Sequence, residues 1–272
     1  MTAWICETCG VQYADSDEPP AECRICLDER QYVGWDGQRW TTQADLAAGH
    51  DNVVREEEPG LTGIATSPAF AIGQRALLVR TPAGNVLWDC ISLLDEATVA
   101  AVEGLGGVGA ICCSHPHFHG SCVDWADAFD ATVWVPAADR EWVTRPSPRI
   151  TIWSDDRVEP VPGCTVARIG GHFDGAAVLH WAAGAGGRGA LLTGDTVTVV
   201  QDRQWVSFMW SYPNLIPLDA ATVTGIAERV GRYRFDRIYG GWWGKAVDRD
   251  GPEVVRRSAE RYVARLAGQR PD

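Results

Sequence analysis

Positive charge is what this sequence has least of. Against 36 Asp and Glu stand 24 Lys and Arg, with Lys245 the only lysine, so the formal net charge is -12. A nucleic acid or an anionic membrane is held through a basic stripe, and the absence of one argues against both partners. Long apolar runs are also missing, since nowhere do about 18 apolar residues stand together as a spanning helix requires. The opening MTAWICETCG has no basic segment followed by an apolar one and does not read as a secretory signal. A cytoplasmic protein is therefore expected. Histidine is scarce too: there are 6, yet three of them, His115, His117 and His119, fall inside the stretch SHPHFHG.

What is present belongs to an ordinary folded chain. At 272 residues with 46% hydrophobic and 22% charged content, one sizeable domain with a small appendage is expected. Cysteine is plentiful at 9. An odd number in an unsecreted chain reads as metal ligands and small buried residues, not as a disulfide set.

Four of those cysteines form a pattern. Cys6-x2-Cys9 and Cys23-x2-Cys26 are two knuckles that can turn four thiolates toward one metal, and residues 1–40 hold too small a core to fold without such a staple. CETCG, followed by Tyr13 and a second knuckle after a proline-containing loop, resembles the rubredoxin and zinc-ribbon families over residues 4–35. The second knuckle reads CRICL, without the proline and glycine usual in rubredoxin. The resemblance implies a structural metal: four-thiolate sets accept zinc or iron, and zinc is favoured.

Residues 41–60 are polar and read as a linker, with REEE as its solvated face. From 61 to 272 the pattern alternates between strands and helices. RALLVRT and NVLWDC around a PAG turn read as a hairpin, LDEATVAAVEGLGG as a helix and VGAICCSH as a buried strand. A helix at 122–129, the strand ATVWV and a helix after Pro136 follow. Then come the strands ITIWS, CTVARIGG, GAAVLHW and GALLTGD, a helix at 219–232, the strand FDRIYGG and a last helix at 252–267. This order predicts a layered α/β domain.

His115 ends a buried strand, and His117, two residues on in extended backbone, is expected to face the same ion. His172 lies in a glycine-rich turn between two strands, and Asp195 just after another, where open sheets assemble sites. In this order and context the chain resembles the metallo-β-lactamase fold superfamily over residues 60–268. That resemblance implies an αββα sandwich with its metal site at one edge. It carries His115 and His117 onto the first two positions of the His-x-His-x-Asp-His motif, His172 onto the lone turn histidine and Asp195 onto the aspartate after a strand. Two departures stand out. His119 and Gly120 replace the motif's Asp and His, and Trp242 and Trp243 stand where a last histidine is expected.

One metal, zinc before iron, is therefore expected on His115, His117, His172 and Asp195, with an open position and a degenerate second site. A hydrolase using metal-bound hydroxide on an ester, thioester, lactone or amide of a small molecule is the leading reading. Asp195, and His119 as base or shuttle, are the catalytic candidates; Tyr212, Asn214 and Trp242 are the substrate-binding ones. Two alternatives remain open: a mononuclear iron oxygenase or redox enzyme served by the cysteine module, and a non-catalytic binding protein. Aromatic residues, 13 of them tryptophan, leave a homodimer surface open as well.

Overall fold

Alternation of side chains across extended backbone decides the architecture. In the computed structural model, which describes residues 1–269, two sheets lie face to face. The first has seven strands in chain order: β1 (Asp51–Glu58), β2 (Leu61–Ser67), β3 (Arg75–Thr81), β4 (Gly84–Trp88), β5 (Ala110–Cys112), β6 (Thr132–Pro136) and β7 (Ile150–Trp153). Strands β1 to β4 are an antiparallel meander, and β4 to β7 run parallel. The second sheet has six strands: β8 (Arg157–Val161), β9 (Cys164–Arg168), β10 (Ala177–Trp181), β11 (Ala190–Leu192), β12 (Arg237–Tyr239) and β13 (Ala246–Val247). All its pairings are antiparallel except β11 with β12.

The period of two sorts each strand between two cores. Leu77 and Val79 of β3, Val86 and Trp88 of β4, and Ala190 and Leu192 of β11 point between the sheets. Their neighbours Leu78 and Leu87 point outward to α1 (Glu96–Gly104) and α2 (Cys122–Phe129), where Val102, Trp125 and Ala126 cover them. On the other side Leu191 and Ile238 meet Val223, Ile226 and Val254 of α3 (Ala220–Val230) and α4 (Gly251–Leu266). Burying each such side chain stabilises the fold by about 1.5–3 kcal/mol. Helices α1 and α3 start where a carboxylate caps them: Asp95 accepts from Thr98 N, and Asp219 from Thr222 N. The result is the αββα sandwich expected from the sequence.

The cysteine module is the smaller body. Its hairpin pairs Ile5–Cys6 with Trp40–Thr41, and its core is Cys6, Cys9, Val11, Cys23, Ile25 and Cys26. The module packs on the sandwich, with Ile72 and Trp142 closing its core. Ser92 Oγ donates to Gly10 O at 2.7 Å and Gln12 N to Gly120 O at 3.0 Å.

Three expectations need correction. Residues 41–60 are not a linker: they hold the short helix Gln43–Ala47 and β1, the edge strand of the first sheet. An edge strand wets one face, so its sequence reads as polar. REEE is only partly solvated, because Glu57 pairs with the buried Arg75 at 2.9 Å and Glu58 pairs with Arg237 and accepts from Ala185 N. After Pro136 the backbone forms a 3-10 helix, Ala137–Trp142, and not an α-helix.

Candidate metal centre

Three separate segments bring the site together. Strand β5 ends at Cys112, and the extended His115 then leads into a 3-10 turn, Pro116–Phe118. This turn, and not continuous extended backbone, is what aims His117 at His115, with ring centroids 5.1 Å apart. His172 stands in the loop between β9 and β10, and Asp195 opens a 3-10 turn just past β11. One ligand atom from each of His115, His117, His172 and Asp195 lies within 4.8 Å of the others. His115 Nε2 and His172 Nε2 stand 3.5 and 3.8 Å from Asp195 Oδ2, and His172 Nε2 stands 3.4 Å from His117 Nδ1.

Neighbouring groups orient the rings. His172 Nδ1–H donates to Met209 O at 3.1 Å, since a carbonyl can only accept, and this leaves the Nε2 lone pair facing the site. Ser114 Oγ lies 2.9 Å from His115 Nδ1. Ser114 N donates in turn to Asp89 Oδ1 at 2.6 Å. Gly194 must be glycine, because a Cβ there would lie 2.1 Å from Ser114 Oγ. Asp89 and Ser114 were invisible as site residues in the sequence; the only signal was a carboxylate at the end of an apolar strand, in LWDC.

The electrostatics suit a cation. Burial pushes His115 down to about 3 and His172 to about 4, and lowers His117 with help from the two neighbouring imidazoles. All three are neutral at pH 7, the form that ligates a metal. Burial raises Asp195 to about 6, against an opposing pull from His172. His115 Nε2 and Asp195 Oδ1 are buried and have no hydrogen-bond partner among the described residues. Leaving such atoms unpaired costs about 1–3 kcal/mol each. A divalent cation held through Asp195 Oδ2, the oxygen that faces His115 and His172, would satisfy His115 Nε2 and leave Oδ1 to a water, so the donor set fits one.

The remaining candidates spread out. His119 is not among the four. It lines a cavity of about 20 Å3, room for one water, with Gln12, Cys122 and Arg145, and burial lowers it to about 4. Tyr212 stays near the centre, its hydroxyl donating to Asp195 O at 3.0 Å and its ring 6.2 Å from that of His172. Asn214 is committed elsewhere: its amide donates to Glu29 O and Gln31 O of the module. Trp242 donates to Ile72 O and packs on Phe118 at 5.6 Å. Trp243 lies under Arg55 at 4.1 Å and against Gly63. At Gly120 φ is +51°, and a Cβ would lie 2.7 Å from Ile91 O, so the histidine of the resembled motif has no room.

In the module the four sulfurs form a second group, with Cys6 Sγ to Cys26 Sγ at 3.6 Å and Cys9 Sγ to Cys23 Sγ at 3.7 Å. Gln38 Nε2 donates to Cys6 Sγ at 3.2 Å, and the hydroxyl of Tyr13 to Cys23 Sγ at 3.3 Å. Donors aimed at sulfur favour thiolate, the metal-binding form.

Comparison with known proteins agrees with this description. No family model matches the chain. It is 49% identical over 268 residues to the uncharacterized protein YmaE of Bacillus subtilis (strain 168), covering 98% of this chain and 97% of that protein. Among solved structures, VMB-1 superposes with a TM-score of 0.59 at 12% identity, covering 79% of this chain and 98% of that one. A B3 metallo-β-lactamase with an active-site glutamic acid gives 0.52 at 19% identity, covering 81% of this chain and 89% of its own. The chemotaxis sensor ODP, solved with a peroxy diiron species, gives 0.53 at 18% identity, covering 78% and 94%. Its sandwich thus has the metallo-β-lactamase fold, and over nearly its whole length the chain belongs to the family of Bacillus subtilis YmaE.

Proposed function

We propose that the chain is a metal-dependent hydrolase with a single cation, zinc by preference, on His115, His117, His172 and Asp195. The observation that carries this reading is the convergence of three neutral imidazoles and a carboxylate on one point, with buried donor atoms left unpaired. A cation held by these residues would supply Lewis acidity and lower the pKa of a bound water to about 7. Asp195 Oδ1, buried and without a partner, orients the attacking water or takes its proton. Tyr212 holds the Asp195 main chain in place through its hydroxyl. One cation rather than two follows from Gly120 and the two tryptophans, which leave no further ligand grouped with these four among the described residues.

The substrate class is a small-molecule ester, thioester, lactone or amide. All four ligating residues are buried, the most exposed being Asp195 at 6%, which suits a small reactant. With a net charge of -12 a nucleic acid is an unsuitable partner. No helix among the described residues is long and apolar enough to cross a membrane. Nine unbridged cysteines suit a reducing compartment, the cytoplasm.

Metal content per chain, measured by mass spectrometry with an absorption spectrum of the same sample, tests the reading. About two zinc per chain without colour, followed by hydrolysis of an ester or thioester that His115→Ala abolishes, is expected. Iron with visible absorption would replace hydrolysis by redox chemistry, a second reading favoured by the contact of the four-cysteine module with the His172 loop. One zinc only, held by the cysteines, would leave a binding module.

A further inference from the structure

Arg30 belongs to the cysteine module, yet its guanidinium lies in the wall of the histidine centre. It follows Cys26 by four residues and is 8% exposed. Asp28 clamps it locally, accepting from Nε at 2.6 Å and from Nη2 at 2.9 Å. The free edge of the same plane donates from Nη1 to His172 O at 3.2 Å. The face of the plane lies 3.7 Å from the ring centroid of Phe173 and 4.6 Å from that of Trp210. Edge-on donation combined with face-on stacking is possible for a guanidinium and not for an ammonium.

Arg30 also reaches His172 by a second route. Its carbonyl accepts from Ser211 Oγ at 3.2 Å, and its neighbour Glu29 accepts from Trp210 Nε1 at 2.9 Å. Ser211 and Trp210 belong to the short strand Met209–Ser211, whose Met209 O receives the Nδ1–H of His172. One residue of the module thus holds both the backbone of His172 and the segment that sets its ring orientation.

We propose that Arg30 is a positioning residue that couples the two metal sites. With the four cysteines closed on their metal, the turn from Cys26 through Asp28 to Arg30 is rigid and His172 is held with Nε2 aimed at the centre. Without that metal the turn loosens, and the affinity of the histidine site falls. Linkage makes the effect reciprocal. A module that served only as a cover would need no particular residue at this point. The inference rests on the reading that His115, His117, His172 and Asp195 hold a cation.

The test uses the full chain loaded with cobalt(II), because thiolate and imidazole coordination give distinguishable absorption. Affinity at the histidine site is measured by competition with a chelator for the native chain, Arg30→Ala, Arg30→Lys, Cys26→Ser and the double variant Cys26→Ser with Arg30→Ala. Arg30→Ala is expected to weaken the histidine site by about 10- to 100-fold while the thiolate bands and the melting temperature stay unchanged. Arg30→Lys should recover only part of the loss. In the Cys26→Ser background, where the module has lost a ligand, Arg30→Ala should cost little more. Native affinity in Arg30→Ala, or losses that simply add in the double variant, would overturn the coupling. A native chain that binds no cobalt outside the thiolates would instead sink the underlying metal reading, so the two failures are told apart.

Discussion

The two candidate metal centres are built in opposite ways. The cysteine site draws all its ligands from positions 6 to 26, on two knuckles whose turns close locally, Gly10 N to Cys6 O at 2.8 Å and Leu27 N to Cys23 O at 3.0 Å. The histidine site draws on three loops across 80 residues of chain, from His115 to Asp195, and needs both sheets in place before all three loops meet. A local site can be its own folding nucleus, whereas a distributed one is a consequence of the fold. The metal should therefore matter to structure in the first and to chemistry in the second.

The strongest challenge to that contrast is Cys6→Ser together with Cys23→Ser. A structural four-thiolate zinc site contributes roughly 10–16 kcal/mol of apparent binding free energy, so residues 1–40 should lose protection from hydrogen exchange altogether while the sandwich keeps its own. A module that stayed protected would mean that its contacts with Ile72, Trp142 and Gly120 suffice. Next in size, His172→Ala should remove the cation of the sandwich with little change in melting temperature; a cooperative loss of the whole fold would make that centre structural as well.

A third expected effect concerns Gly120. Gly120→His should restore the residue type of the resembled motif without adding a second cation, and should destabilise the fold by about 1–3 kcal/mol through positive φ and the clash with Ile91 O. A denaturant titration with metal analysis checks both parts, and a stable two-metal variant would refute the steric account. A fourth effect, of similar size, is electrostatic. Burial raises the carboxyl of Asp139, which accepts from Gly175 N, to about 6. The native state thus binds this proton more tightly than the unfolded chain, so its contribution is full below the ordinary carboxyl range and is lost as pH rises through 6. The stability of the native chain minus that of Asp139→Asn should fall by on the order of 2–3 kcal/mol between pH 4 and pH 7; a flat difference would show that the carboxyl is not buried in solution.

Legibility in the sequence followed the same division. The cysteine pairs could be read from spacing, because a knuckle is complete within four residues. Strands buried on both faces, such as Leu77 to Val79 in RALLVRT and Ile111 in VGAICC, stood out as apolar runs. The polar edge strands β1 and β8 did not. DNVVREEE looked like a linker because its polar side chains face water or pair with distant arginines, and RVEPV was missed for its charge and its proline. His115, His117, His172 and Asp195 were found by their place at strand ends and by the resemblance to a known motif. Asn214 was misjudged because an amide that looks free in sequence is bound to the module in space.

Residue order alone therefore settled what depends on near neighbours: the alternation that sorts each strand between two cores, the helix caps at Asp95 and Asp219, and the four-thiolate knuckles. Contacts made at long range were left to the packed chain. Among them are the aim of His172 by Met209 and Arg30, the separation of His119 from the four ligands, and the exclusion of a side chain at Gly120. The physical reason is that these depend on which loops the two sheets bring within hydrogen-bond reach, a distance that no spacing along the chain encodes.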